Sequence, residues 1–223
     1  MKVPDLHPWP ATVGEAEAVQ ARLRPLLDLT SPGPQTVRTV AGLDVAYTEE
    51  RLAAAAVILD AETLEVIEEA TVVDRPGFPY VPGLFAFREL PALVDALRKL
   101  RITPDLLVCD GHGLAHPKRF GLACHLGVLT GLPSIGVGKT RLVGTYDEPD
   151  GARGAWSPIS DDGEIVGRAL RTQTGVRPVF VSVGHRADLD TACAVTLRLA
   201  PHYRLPETTR QADHLSRETL TAP

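Results

Sequence analysis

With 223 residues, 44% of them hydrophobic and 23% charged, the chain is long enough to bury its own core and reads as one domain over 1–223. Lysine and arginine total 23 against 28 aspartates and glutamates, a formal charge of −5. That excludes a broad electrostatic grip on nucleic acid, so phosphate binding has to come from a local basic face or from metal ions.

The first 30 residues open with MKVPDLHPWP, which has no apolar leader segment, and no later run approaches the roughly 18 apolar residues of a membrane span. Thr12-Val13-Gly14-Glu15 has the form of a capping box, and Val19, Leu23, Leu26 and Leu27 continue it as an amphipathic helix to near Leu29. Ser31-Pro32-Gly33-Pro34 breaks it. Val37–Ala46 is a strand with Asp44 in its apolar body, followed by strands over Leu52–Leu59 and Leu64–Val73 around a turn at Asp60–Glu62. Three strands so tightly connected imply an antiparallel meander. Phe78-Pro79-Tyr80-Val81-Pro82-Gly83 is an irregular turn, and apolar residues from Leu84 to Leu100 recur at helical spacing with Glu89 among them. Leu106–Cys109 is a short buried strand that stops on Asp110-Gly111. A glycine-rich loop with His112, His116, Lys118 and Arg119 leads into a helix over Gly121–Thr130 and a strand over Pro133–Val137 that ends near Lys139. Two strands around a helix argue for parallel pairing. A hairpin over Ala155–Arg171 turning at Asp161-Asp162-Gly163, a strand over Pro178–Val183 and a helix capped by Asp188 complete the order, and the residues after Pro206 read as a polar tail. The expected architecture is α/β, a mixed sheet of an antiparallel meander extended by parallel strands, with helices on both faces. It resembles the ribonuclease H-like fold.

Asp44 and Asp110 fall on strands that such a topology sets side by side. Unpaired carboxylates held together are costly to bury unless a cation neutralises them, and oxygen donors favour magnesium or manganese. Glu89 is either a third member of that set or an ordinary helix acid. Lys139, at a strand end, is placed to pair with a phosphate or a developing charge. His112, His116, His125, Cys109 and Cys124 match no zinc spacing. Gly136-Val137-Gly138-Lys139-Thr140 looks like the end of a phosphate-binding loop but has Pro133 where the first glycine belongs, which rejects a nucleoside triphosphatase. Tyr80, between prolines, is either core or a loop tip able to wedge into a base stack. Cys109, Cys124 and Cys193, odd in number and in apolar segments, suggest reduced thiols and a cytoplasmic protein.

GLDVAY, FPYVPGLFAFRE, DGHGLAHPKRFGLACHLG and PSIGVGKTRLVG, in that order, resemble the endonuclease V family, as do VSVGHRADLDTA and RLPETTRQAD further on. The resemblance implies a magnesium-dependent repair endonuclease, with manganese able to substitute. It would act as a monomer on DNA containing deoxyinosine or other deaminated bases, away from membranes. It would hydrolyse the second phosphodiester bond 3′ to the lesion and leave 5′-phosphate ends. By motif, Asp44, Glu89 and Asp110 would hold the metal and take part in catalysis with His116 and Lys139. Tyr80 would be the wedge, and Pro79, Pro82, Gly83, Leu84, Gly111 and Gly136 would contact the substrate. A position near the C-terminus that assists the metal falls on Asp213 or on His214. The rival readings are an inosine-specific ribonuclease and a catalytically silent nucleic-acid-binding module of the same fold.

Overall fold

The computed structural model describes residues 1–222. Strands β1 (Thr39–Tyr47), β2 (Leu52–Asp60) and β3 (Val66–Asp74) form the antiparallel meander. The Asp60 carboxylate pins the second turn by accepting the backbone N–H of Glu62 and Thr63 at 2.9 and 2.8 Å. Apart from Asp60 at its end, β2 is apolar along its length, as a strand covered on both faces must be. Helix α2 (Ala86–Lys99) carries the chain across to β4 (Leu106–Cys109), parallel to β1 on the side away from β2. Helix α3 (Leu122–Thr130) leads to β5 (Ser134–Gly138), parallel to β4. Strands β6 (Trp156–Asp161), β7 (Glu164–Leu170) and β8 (Val179–His185) close an eight-stranded sheet in the order β3-β2-β1-β4-β5-β8-β7-β6. This is the expected mixed sheet, a ribonuclease H-like α/β fold.

Helices cover both faces. On one, α2 and α3 bring Leu90, Leu93, Leu97 and Leu126 onto Leu43, Val45, Ile58 and Leu107. On the other, α4 (Leu189–Arg198) and α5 (Glu207–Thr221) pack on Val40, Val57, Val108 and Val137. Each leucine buried this way stabilises the fold by about 1.5–3 kcal/mol. Helix α1 (Val13–Leu23) lies over a smaller cluster of Phe78, Leu84, Phe87 and Phe120, and its capping box is formed as expected. It ends six residues short of Leu29, because Pro25 has no N–H to continue the ladder and the chain passes into a 3-10 turn over Arg24–Leu26.

The larger correction concerns the C-terminus. The residues after Pro206, expected as a polar tail, form α5 and lie against β1 and β2 with Thr208, Thr209, Ala212 and Ser216 buried. Small side chains let the helix approach closely. A Cβ placed on Gly42 of β1 would sit 2.2 Å from the Thr208 carbonyl oxygen, so only glycine permits this contact. No described helix is long and apolar enough to cross a membrane.

Candidate active site

The register of the three central strands assembles the site. Leu43 pairs with Cys109 across the parallel β1–β4 ladder, which sets Asp44 beside Asp110, and the Asp110 N–H extends that ladder to the Leu43 carbonyl at 3.3 Å. Cys109 pairs in turn with Gly136, so Val137 stands beside Asp110 and Lys139 follows two residues on, pointing to the same face. That face is the one α5 covers. The Lys139 ammonium lies 2.5 Å from the Asp110 carboxylate and 4.0 Å from that of Asp213, which α5 supplies. His214 instead turns outward to Glu218 at 3.2 Å, so Asp213 is the residue that faces the site. Glu89 enters from α2, buried, and its Oε1 accepts a hydrogen bond from the Tyr47 hydroxyl at 3.1 Å.

The electrostatics follow from this crowding. Burial and then the neighbouring Asp110 raise the Asp44 carboxyl from its usual range to about 7. Glu89 is driven well above its ordinary value, first by burial and then by Asp44. Burial also raises Asp110, although Lys139 pulls against it. Lys139 is in turn held above its usual value, because Asp110, Asp44 and Asp213 together outweigh its own desolvation. Among the described residues no three acidic, histidine or cysteine side chains close on one point as a finished metal cage would; Lys139 contacts Asp110, and Arg217 pairs with Asp213 at 3.0 Å. The donor set nonetheless fits a hard divalent ion: every candidate ligand is a carboxylate oxygen, and burial first, then mutual repulsion, holds Asp44, Glu89 and Asp110 above their ordinary range.

The cluster opens into a cleft of about 570 Å³ whose walls include Tyr80, Pro82, Gly83, Leu84, Gly111 and His116 as well as Asp110 and Lys139. Tyr80 is 70% exposed at the tip of its loop and rests edge-on against Phe85, with ring centroids 5.6 Å apart. Of the two readings of this aromatic, core packing is therefore excluded. Pro79 is exposed in the same loop but does not line the cleft. Gly136 does not line it either. It lies buried beneath the loop that follows β4, where a Cβ would come within 2.7 Å of the Gly111 carbonyl oxygen, and it is Gly138 that reaches the wall.

His116 sits in the cleft wall in an unexpected state. Its Nδ1 accepts the Lys118 N–H at 3.2 Å, which leaves the ring proton on Nε2. Burial, then His112, lower its pKa to about 4. His112 is likewise neutral: Nε2 donates to the Thr140 carbonyl at 3.0 Å, and burial lowers its pKa.

Two of the basic residues nearest the cleft in sequence are committed elsewhere. Arg119, with a side chain 12% exposed, bonds Asp161 at 2.7 Å and Glu164 at 2.8 Å, fastening the β6–β7 hairpin to the His116 loop. Arg88 donates to the Phe78 carbonyl and lies over the Tyr47 ring. Lys118 and Arg141 are the exposed pair. Tyr47 and Gln20, whose Nε2 donates to the Gly83 carbonyl at 2.9 Å, went unread in the sequence. Nothing in a tyrosine at a strand end or a glutamine in a helix announces such a partner. Asp213 is named through the family resemblance; the residues themselves offer one further signal, the small Thr208, Ala212 and Ser216 at a spacing of four.

The three cysteines are free and buried, with the Cys124 thiol directed at the Val183 carbonyl. They take no part in the cleft.

Comparison with known proteins adds independent findings. The family model described as endonuclease V matches residues 21–214. Endonuclease V of Streptomyces avermitilis is 59% identical over 215 residues, 95% of this chain and 94% of that one. The crystal structure of endonuclease V from Bacillus subtilis, 37% identical, covers 99% of this chain and 98% of its own with a TM-score of 0.94. That of the Ciona intestinalis enzyme, 25% identical over 93% of this chain and 97% of that one with a TM-score of 0.81, is in complex with a 24mer DNA containing an inosine followed by a ribo-adenosine. A match of this extent in sequence and in fold has one meaning, and the chain belongs to the endonuclease V family.

Proposed function

We propose that this nuclease is a monomeric, divalent-metal-dependent endonuclease that recognises hypoxanthine and other deaminated bases in DNA. It hydrolyses the second phosphodiester bond on the 3′ side and leaves 3′-hydroxyl and 5′-phosphate ends. The observation that carries the reading is that a single cleft runs from the exposed Tyr80 loop to the Asp110–Lys139 pair, so base and backbone can be held by one surface. Asp44 and Asp110, with Glu89 and Asp213 beside them, are the residues that would hold magnesium, or manganese in its place. Bound there, the ion supplies an activated water and neutralises charge on the leaving oxygen.

The protein's own groups do the rest. Lys139 brings positive charge to the edge where the scissile phosphate lies. Tyr80 enters the gap left by the extruded base, since unstacking a base costs a few kcal/mol that a filling ring partly recovers. Gly83, Leu84 and Gly111 approach the base with backbone rather than bulk, and Pro79 and Pro82 stiffen the wedge. His116, neutral and tied to the Lys118 N–H, supports the pocket wall, and any part it takes in proton transfer is read from the pH–rate profile of His116→Ala.

The Ciona complex favours a second reading, because a ribo-adenosine follows its inosine. An inosine-specific ribonuclease uses the same chemistry on a different sugar. Matched oligonucleotides carrying deoxyinosine in DNA or inosine in RNA, incubated with magnesium and with chelator, separate the two. We expect metal-dependent nicking of the DNA at the second phosphodiester bond 3′ of the lesion, abolished in Asp110→Ala. Preferential cleavage of the RNA would move the assignment to the second reading, and cleavage in chelator or by Asp110→Ala would end both.

A further inference from the structure

On its buried face α1 presents Ala16, Val19, Gln20 and Leu23. Three of these are apolar and join Phe78, Leu84, Phe87 and Phe120 in one cluster. Gln20 is the exception, 4% exposed. Its Nε2 donates to the Gly83 carbonyl at 2.9 Å and, more weakly, to the Phe120 carbonyl at 3.4 Å, while its Oε1 has no partner among the described residues. An unpaired buried acceptor costs stability, and a leucine or methionine would fill this space without that cost. What the amide does that they cannot is join two segments. Gly83, held at φ +80°, ends the loop that presents Tyr80, and Phe120 ends the loop that carries His116. These loops form facing parts of the same cleft.

We infer that Gln20 is a positioning residue, a strut that fixes the Tyr80 loop against the His116 loop and so sets the width of the cleft that takes the extruded base. The inference rests on the reading of that cleft given above. Gly83 has the Gln20 amide on one side and the His116 ring on the other, with the ring's Cε1 4.0 Å from where a Cβ would be. Without the Nε2 donor, the Gly83 carbonyl keeps only the His116 ring as a polar partner, and nothing polar ties it to α1. A loop free to shift loses the pre-organisation that makes base capture specific. The effect belongs to binding of the lesion, not to the hydrolytic step.

The test compares wild type with Gln20→Met, which keeps length and loses the donor, and Gln20→Glu, which puts an acceptor against two carbonyls. Two readouts are taken: steady-state cleavage of a duplex with one deoxyinosine, and backbone hydrogen exchange over residues 78–86. For Gln20→Met we expect KM to rise about tenfold with kcat changed less than about twofold, and exchange to quicken in 78–86 while β4 and α3 stay protected. Gln20→Glu should be at least as impaired. If either variant keeps wild-type KM and wild-type exchange in 78–86, the strut is refuted. Faster exchange spread over the whole sheet, with kcat falling in step, would equally reduce Gln20 to a packing residue. Should wild type itself show no preference for deoxyinosine, the base-pocket reading fails, and the exchange measurement still decides whether Gln20 orders the loop. If Gln20→Met does not fold, Gln20→Asn, which keeps the amide but shortens its reach, is read by the same two measurements.

Discussion

Asp44 is a residue at which protonation and folding are strongly linked. Its carboxyl sits near 7 when folded against 3.8 in the open chain. Stability from the protonated form is therefore complete below about pH 3.8 and is lost as pH rises through 7, at up to about 1.4 kcal/mol per unit. In metal-free buffer, Asp44→Asn should melt above wild type at pH 8, with the gap closing towards pH 4. Magnesium should close it from the other side by raising the wild-type melting temperature alone. Thermal unfolding at both pH values with and without the ion checks this, and a gap of the same size at pH 4 and pH 8 would remove the electrostatic cause. Tyr80 is exposed and makes no core contact, so Tyr80→Ala should leave stability within about 0.5 kcal/mol. It should weaken lesion recognition in duplex DNA more than in single strands, where there is no stack to fill. Equal losses on the two substrates would make it a stacking platform. Both residues were legible in the sequence for a physical reason: a carboxylate between Leu43 and Val45 and an aromatic between prolines violate their local pattern. Gln20 and Tyr47 violate none, because what makes them unusual is a partner 63 or 42 residues away.

At the scale of elements, period-two and period-3.6 patterns located the strands and most helices to within a few residues, since those faces are apolar. Helix α5 escaped because its buried stripe is Thr208, Thr209, Ala212 and Ser216, which a hydrophobicity pattern passes over. Its docking depends on close approach instead, and that makes Gly42 the position to perturb. In Gly42→Ala the new methyl meets the Thr208 backbone, which cannot rotate away, so the helix has to move outward. We expect a loss of about 1–3 kcal/mol in urea denaturation from the overpacked contact. We also expect weaker metal binding by calorimetry, since α5 carries Asp213 to the site. Gly14→Ala is the control. It lies in a helix with nothing within 4 Å of the added methyl and should be neutral or slightly stabilising. Unchanged metal affinity in Gly42→Ala would separate the position of α5 from the function of the site.

For the whole molecule the question is how a chain of net charge −5 holds a polyanion. The sign of the problem was readable from composition, but its solution was not, because the sequence does not say which arginines are already spent. Arg119 and Arg88 are committed to internal partners, and Lys139 is shared with Asp110 and Asp213. Lys118 and Arg141 remain as exposed cations near the cleft. So few phosphate contacts predict a shallow salt dependence, roughly 0.9 in log K per log salt for each phosphate neutralised. Divalent metal then has to supply the remaining positive charge. Binding of an inosine duplex to an inactive variant, followed by anisotropy, should strengthen markedly on adding calcium or magnesium, because the metal relieves repulsion between the carboxylate cluster and the phosphate. Lys118→Ala or Arg141→Ala should each lower the salt slope by about 1 and weaken lesion and undamaged DNA alike, since a phosphate contact carries no base information. Binding as tight in chelator as with metal, or a slope far steeper than two or three contacts allow, would mean that a basic surface elsewhere on the molecule holds the DNA.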